Sequence, residues 1–178
     1  MKYCPECGEK VMWQKANGTQ QGRFVCNSCR AIFFQSPRLI ASCIAEWEDK
    51  ILLCRRGTEP GYGSWTLPAG FLEISETAAD GARREVLEET GASVEIGTLY
   101  ALFNLPAINQ AQLVFRAHLL DPNVNVGHEM LDARLFGESE IPWDTLAFMS
   151  TLEALRHYFR DRKTGEYRFL FADIMPFL

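Results

Sequence analysis

Residues 70–91 read GFLEISETAADGARREVLEETG, and the reading of this stretch decides the fold. From Glu76 to Thr90 there is no proline and most residues favour helix. Ser75 is placed to cap the first turn and Gly91 to end the last, so a helix is predicted over 76–90. At about 100° per residue, Glu85, Glu88 and Glu89 fall within an arc of roughly 100°, and Glu85 and Glu89 stand one turn apart. Carboxylates packed on one helix face repel one another, and a hard divalent cation with oxygen ligands is the natural compensation. The neighbouring stripe of Ala79, Ala82 and Val86 can bury against a sheet and hold the acidic face still.

The flanking sequence supplies that sheet. Apolar runs at 39–47 and 51–54, with a turn at 48–50, read as a hairpin. The segment 57–63 is a glycine-rich loop, and 65–71 is a strand interrupted by Pro68 and Gly70. Strands are expected at 93–105, 111–120, 133–136 and 167–172, and a second helix at 146–162. Without regular β-α-β alternation, the pattern predicts an α/β fold built on a helix-flanked mixed sheet.

Four of the six cysteines form two pairs, Cys4 with Cys7 and Cys26 with Cys29, separated by 18 residues. Two such knuckles complete the tetrahedron that zinc accepts, and with all four positions filled by sulfur the ion holds structure rather than doing chemistry. Disulfides are the alternative. The opening MKYCPECGEK has no apolar core behind its lysine, and no apolar run nears the roughly 20 residues that span a bilayer. A cytoplasmic, reducing setting is therefore expected, with no membrane partner, which favours zinc. With short strands at 23–25 and 31–34 and a break at Ser36-Pro37, residues 1–36 read as a zinc ribbon and 37–178 as a second domain. Cys43 and Cys54 lie in apolar runs and read as small core residues.

The chain of 178 residues carries a net charge of −5. Residues 1–36 hold five cations against two carboxylates, leaving the larger part at −8. Four thiolates with one zinc ion reduce the ribbon to about +1, with no basic cluster to track a phosphate backbone, so nucleic acid is not the expected partner. An acidic surface that handles phosphates needs bound cations or a few placed arginines.

Gly70, five residues, Glu76, seven residues, then Arg84-Glu85-Val86-Leu87-Glu88-Glu89-Thr90-Gly91 resembles the box of the Nudix hydrolases, departing from it only at Ala92, where a larger aliphatic residue is usual. The resemblance implies a Nudix α-β-α sandwich, and a substrate in which a nucleoside diphosphate is linked to another moiety. It extends to 51–56 and to Trp65-Thr66-Leu67-Pro68-Ala69-Gly70, and a ribbon ahead of the box is seen in the NADH pyrophosphatase branch. That branch carries a Ser-Gln-Pro-Trp-Pro-Phe array after the box, which residues 102–110 lack. The strip 67–70, Pro106 with Gln110, and 134–136 before Glu140-Ile141-Pro142 look closer to the plant plastid-type FAD and ADP-ribose pyrophosphatases. The expected reaction is metal-dependent hydrolysis of FAD or ADP-ribose to release AMP. An NADH/NAD pyrophosphatase, a non-catalytic ligand sensor and a ribbon-based nucleic-acid adaptor are the alternatives.

On this resemblance Mg2+ or Mn2+ is held by Glu85, Glu89 and the Gly70 carbonyl, with Glu88 direct or through water and Glu129 as a further ligand. The general base is Glu89 or Glu129. Arg84 pairs with Glu76 to lock the loop. Arg55 and Arg56 at a strand end could clamp phosphate, only one of them pointing inward, and Gln110 is a candidate substrate contact. A homodimer is usual among the proteins it resembles.

Overall fold

The computed structural model describes residues 1–15 and 22–175. It separates into two compact units, Met1–Pro37 and Arg38–Leu178.

In the first unit, β1 (Val11–Lys15), β2 (Gly22–Cys26) and β3 (Ile32–Phe33) form an antiparallel sheet in that order, Val11 facing Cys26 and Phe24 facing Phe33. Strand β1 is not among the strands expected from the sequence; its residues are mostly exposed and have no apolar periodicity to mark it. Each cysteine pair closes a tight turn. The Gly8 N–H donates to the Cys4 carbonyl at 2.9 Å and the Arg30 N–H to the Cys26 carbonyl at 2.8 Å. Gly8 and Arg30 both take the left-handed conformation that such a turn requires, at φ 76° and 62°.

All six cysteines are free thiols. The four ribbon sulfurs lie within 4.8 Å of one another. Among the described residues of this unit only Cys4 and Cys26 are buried. A sheet with so little apolar core cannot offset its own chain entropy, so the sulfur cluster is the core, and a structural zinc ion fits it.

In the second unit, β4 (Arg38–Trp47) and β5 (Lys50–Arg56) form a hairpin that pairs only near its turn, Glu46 with Ile51 and Trp47 with Lys50, and then splays open. The wedge is filled by two short strands, β6 (Trp65–Thr66) on β5 and β7 (Ala69–Phe71) on β4. The single interrupted strand expected over 65–71 is thus two strands with different partners. Leu67-Pro68 is the crossing between them, the Pro68 carbonyl accepting from the Cys43 N–H at 3.2 Å. The remaining strands are β8 (Val94–Leu105), β9 (Gln110–Leu119), β10 (Met130–Phe136) and β11 (Leu170–Asp173). The sheet order is β10-β5-β4-β9-β8-β11, with β4 parallel to β9 and β8 parallel to β11, so it is mixed as expected.

Helix α1 (Ala78–Thr90) covers one face and α2 (Met149–Thr164) packs with the other. Alternation along β4 decides which residue meets which helix. Ala41, Cys43 and Ala45 join Ala82 and Val86 of α1, while Ile44 joins Leu155, Tyr158 and Phe159 of α2. The α1 side is built from small residues, so this helix lies close to the sheet; the Cys43 thiol reaches the Ala82 carbonyl at 3.7 Å. Two helix starts differ from expectation. Thr77, not Ser75, caps α1, its hydroxyl accepting from the Asp80 N–H at 3.1 Å, because Ser75 is turned into the left-handed region at φ 71°. The second helix begins at Met149 because residues 143–145 form a separate turn of 3-10 helix.

Cys26→Ser should lower the zinc content of purified protein and the melting temperature of the ribbon. Full zinc by metal analysis with an unchanged melting curve would exclude the four-thiolate site.

Candidate active site

The strip β7 carries no side chain at Gly70, and α1 uses the space. A Cβ added at Gly70 would stand 2.0 Å from Glu85 Oε1, so this carboxylate lies directly on the strand backbone. One turn later, Glu89 Oε2 accepts from the Ala69 N–H at 3.0 Å and faces the Cys54 thiol at 3.5 Å. Both glutamates are buried. Glu88, at the outer edge of the same arc, is 58% exposed along its side chain.

Arg84 organises the rest. Its guanidinium donates to both oxygens of Glu76, at 3.1 and 2.8 Å, to Glu85 at 2.7 Å, to Glu88 at 3.0 Å and to the Phe71 carbonyl at 3.0 Å. Glu76 also accepts from the Glu73 N–H at 2.6 Å. The expected pairing of Arg84 with Glu76 is therefore present, and it pins the 71–76 loop against the helix. One planar, permanently charged fork reaches three carboxylates, a task that suits arginine and not lysine.

Burial sets the electrostatics. It pushes the Glu85 carboxyl up, against the Arg84 charge that favours the anion. It pushes Glu89 up to about 8, with the Ala69 N–H acting the other way. Arg84 holds half-buried Glu76 below the usual carboxylate range. The first helix thus presents two carboxylates at a bare backbone, carrying a desolvation cost that a bound cation would offset.

Other expected residues fall in different places. Glu129 is exposed in the turn before β10. Its carbonyl accepts from the Gly57 N–H at 2.9 Å, in a segment stitched to the end of α1 by Gly127 N–H to the Glu89 carbonyl at 2.9 Å. The set of glutamates is not gathered as a preformed cage: among the described residues, the ribbon cysteines alone bring three or more ligand atoms within 4.8 Å. Arg55 and Arg56 each commit Nε to the loop after β5, at the Gly63 carbonyl (2.8 Å) and the Pro60 carbonyl (2.7 Å). Of the two, Arg56 is the one whose charge acts on Glu89. Gln110 opens β9, paired with Arg38 and Leu105. Cys54 is buried, as its apolar run implies, and its thiol touches Glu89, a contact that no local pattern encodes; the pairing of β5 with β6 brings it there.

Because the Glu89 carboxyl titrates higher in the folded chain than the usual value near 4.3, the stability associated with its neutral form is complete below that value and is lost as pH rises through about 8. In chelator, Glu89→Gln should therefore lose less stability than the unaltered protein between about pH 5 and 8. An equal decline in both, followed by denaturant unfolding, would assign the titration elsewhere.

The NUDIX domain family matches residues 36–166, and the Nudix N-terminal family, a zinc ribbon, matches residues 2–35. A crystal structure of a NUDIX hydrolase from Nitrosomonas europaea is 46% identical, covers 98% of this chain and 99% of its own, and superposes with a TM-score of 0.95. An ADP-ribose pyrophosphatase of Methanocaldococcus jannaschii is 28% identical over 110 residues, 60% of this chain and 65% of that protein. An NAD-capped RNA hydrolase NudC of Vibrio parahaemolyticus is 30% identical over 145 residues, 80% of this chain and 53% of that one. The chain thus spans about half to two thirds of the length of these curated relatives. With the NUDIX domain matched over 36–166 and the ribbon family over 2–35, the chain belongs to the Nudix family.

Proposed function

We propose that this protein hydrolyses the diphosphate bridge of a nucleoside diphosphate derivative, FAD or ADP-ribose, releasing AMP. The observation that carries the reading is the seating of buried Glu85 against side-chain-free Gly70 and of buried Glu89 on the Ala69 N–H. Hard oxygen donors on a rigid helix beside the β7 backbone suit Mg2+ or Mn2+, and a Cβ at Gly70 would fill the cradle. Glu85, Glu89 and the Gly70 carbonyl would hold the ion, with Glu88 and Glu129 as outer carboxylates. When bound, it neutralises the bridge and polarises phosphorus.

The protein's own groups do the rest. Water adds to one phosphorus, the bridging P–O bond breaks, and the leaving phosphate departs as FMN or ribose 5-phosphate, with AMP as the other product. The water's proton goes to a carboxylate, Glu89 in the helix or Glu129 in the turn. Placement within hydrogen-bond reach of the water decides between the two. Arg84 keeps Glu85 oriented and the loop closed on the helix, and Arg56 brings a positive charge to the same side.

Substrate choice rests on resemblance. The absent array in 102–110, the strip 67–70 and Pro106 with Gln110 support the FAD and ADP-ribose group, as does the similarity to an ADP-ribose pyrophosphatase. The similarity to an NAD-capped RNA hydrolase favours a second reading, with NADH or NAD as substrate.

With magnesium present, chromatography of the products should show FAD or ADP-ribose cut with a higher specificity constant than NADH. NADH outrunning both by tenfold would replace the first reading with the second. Glu89→Gln should lower turnover on the order of a hundredfold while the fold survives. Near-normal turnover of that variant at saturating magnesium would remove the metal assignment.

A further inference from the structure

On the α2 side of the sheet, strand registers align one row of residues across five strands. Phe71 pairs with Ile40, Ile40 with Gln112, Gln112 with Phe103, and Phe103 with Ala172. The row starts one residue beyond Gly70 and ends at a cavity of about 250 Å3, lined by Ala172, Ile174 and Met149 among others. All its members but Gln112 are apolar. Arg38, the next residue along this face of β4, lays its guanidinium over the Phe71 ring at 4.0 Å.

Gln112 is 6% exposed, and its orientation is fixed. Its amide nitrogen donates to Ser42 Oγ at 3.1 Å, and Ser42 Oγ donates in turn to the Leu113 carbonyl at 3.1 Å. Since the serine's one proton is committed, the amide cannot reverse without setting two acceptors against each other. Its Oε1 has no hydrogen-bond partner among the described residues. No buried side-chain oxygen or nitrogen there is left unpaired, so this oxygen opens to solvent. An apolar row therefore displays one anchored acceptor.

We propose that Gln112 is a specificity-determining residue that accepts a hydrogen bond from the exocyclic amine of the substrate's adenine. This rests on the function proposed above. Phe103 is fully buried in the core, so the open part of the row is Phe71 and half-buried Ile40; a planar base fits over these two, and a ring-edge amine is the donor that a lone carbonyl oxygen selects. Adjacent strands are spaced by about 4.8 Å, which puts Gln112 on β9 roughly 10 Å from β7 and Gly70, about the reach of a nucleoside from its base edge to its first phosphate. A hypoxanthine base at the same place would set its carbonyl oxygen against Oε1.

The test compares ADP-ribose with inosine diphosphate ribose, which differs by that one group, in the full-length protein with magnesium. The unaltered protein should favour ADP-ribose about tenfold in kcat/KM, as expected for one hydrogen bond. Gln112→Met keeps the size and removes the acceptor, and should bring the ratio near one, chiefly by raising KM for ADP-ribose while kcat holds. Should that variant fail to fold, Ser42→Ala, which frees the amide to turn, should reduce the ratio, and calorimetric titration of the unaltered protein should show AMP binding more tightly than IMP. Turnover of both substrates at a ratio unmoved by the substitutions, or equal binding of AMP and IMP, overturns the assignment to Gln112 alone. No turnover of either substrate overturns the assignment to Gln112, and no turnover of FAD in the same assay overturns the proposed hydrolase as well.

Discussion

The carboxylates of α1 meet the backbone of Ala69 and Gly70 with no side chain between them, and most of the larger unit is arranged so that this contact can exist. A helix reaches a strand this closely only if the residues beneath it are small, and the α1 side of the core is built from Ala41, Cys43, Ala45, Ala82, Ala117 and Ala133. The strand itself is available only because β4 and β5 separate beyond their turn and admit β6 and β7 into the gap. Gly81, where a Cβ would come within 2.5 Å of Leu72 and 2.8 Å of Glu76, allows the same closeness between the first turn of the helix and its preceding loop.

Such proximity concentrates negative charge, and Arg84 is what makes it tolerable without a metal ion. Partly buried beside Glu76 and Glu85, it supplies charge-assisted bonds to both and to Glu88. Glu89 is not hydrogen-bonded to it; among the described residues its carboxylate accepts from the Ala69 N–H and meets the Cys54 thiol. The consequence is graded: Glu76 is pulled down, whereas Glu85 and Glu89 are pushed up, Glu89 to about 8. The residue that gains least from the arginine is the one with most to gain from a cation, which gives the helix a direction as well as an acidic face.

The opposite side of the sheet uses bulk and polar locks in place of small residues. Tyr100 donates to Asp161 at 2.9 Å, Asp161 also accepts from the Arg168 N–H at 2.8 Å, and His157 meets the Arg168 carbonyl at 2.6 Å. Burial alone would raise the Asp161 carboxyl, but the Arg168 N–H and the Tyr100 hydroxyl hold it below the usual range. This lock ties the chain after α2 to the helix and so delivers β11 to β8 at the sheet edge. Arg116, paired with Glu46 at 2.7 Å and set over the Tyr167 ring at 3.2 Å, fixes the same turn from the sheet.

What could be read from sequence follows from how each feature is encoded. The helix, its glutamates, the Arg84–Glu76 pair and the cysteine knuckles depend on spacing within one segment, and spacing is written in the chain. The left-handed Ser75 that moves the helix cap to Thr77, and the splitting of 65–71 between two partner strands, depend on how distant strands diverge. No local pattern carries that information. The anchored amide of Gln112 lies deeper still, since a glutamine at an inward position of an apolar strand gains meaning only when Ser42, seventy residues earlier, is laid beside it by the parallel pairing of β4 with β9. Chemistry confined to one helix and its loop is therefore legible from sequence, whereas selectivity assembled across the sheet waits for the register.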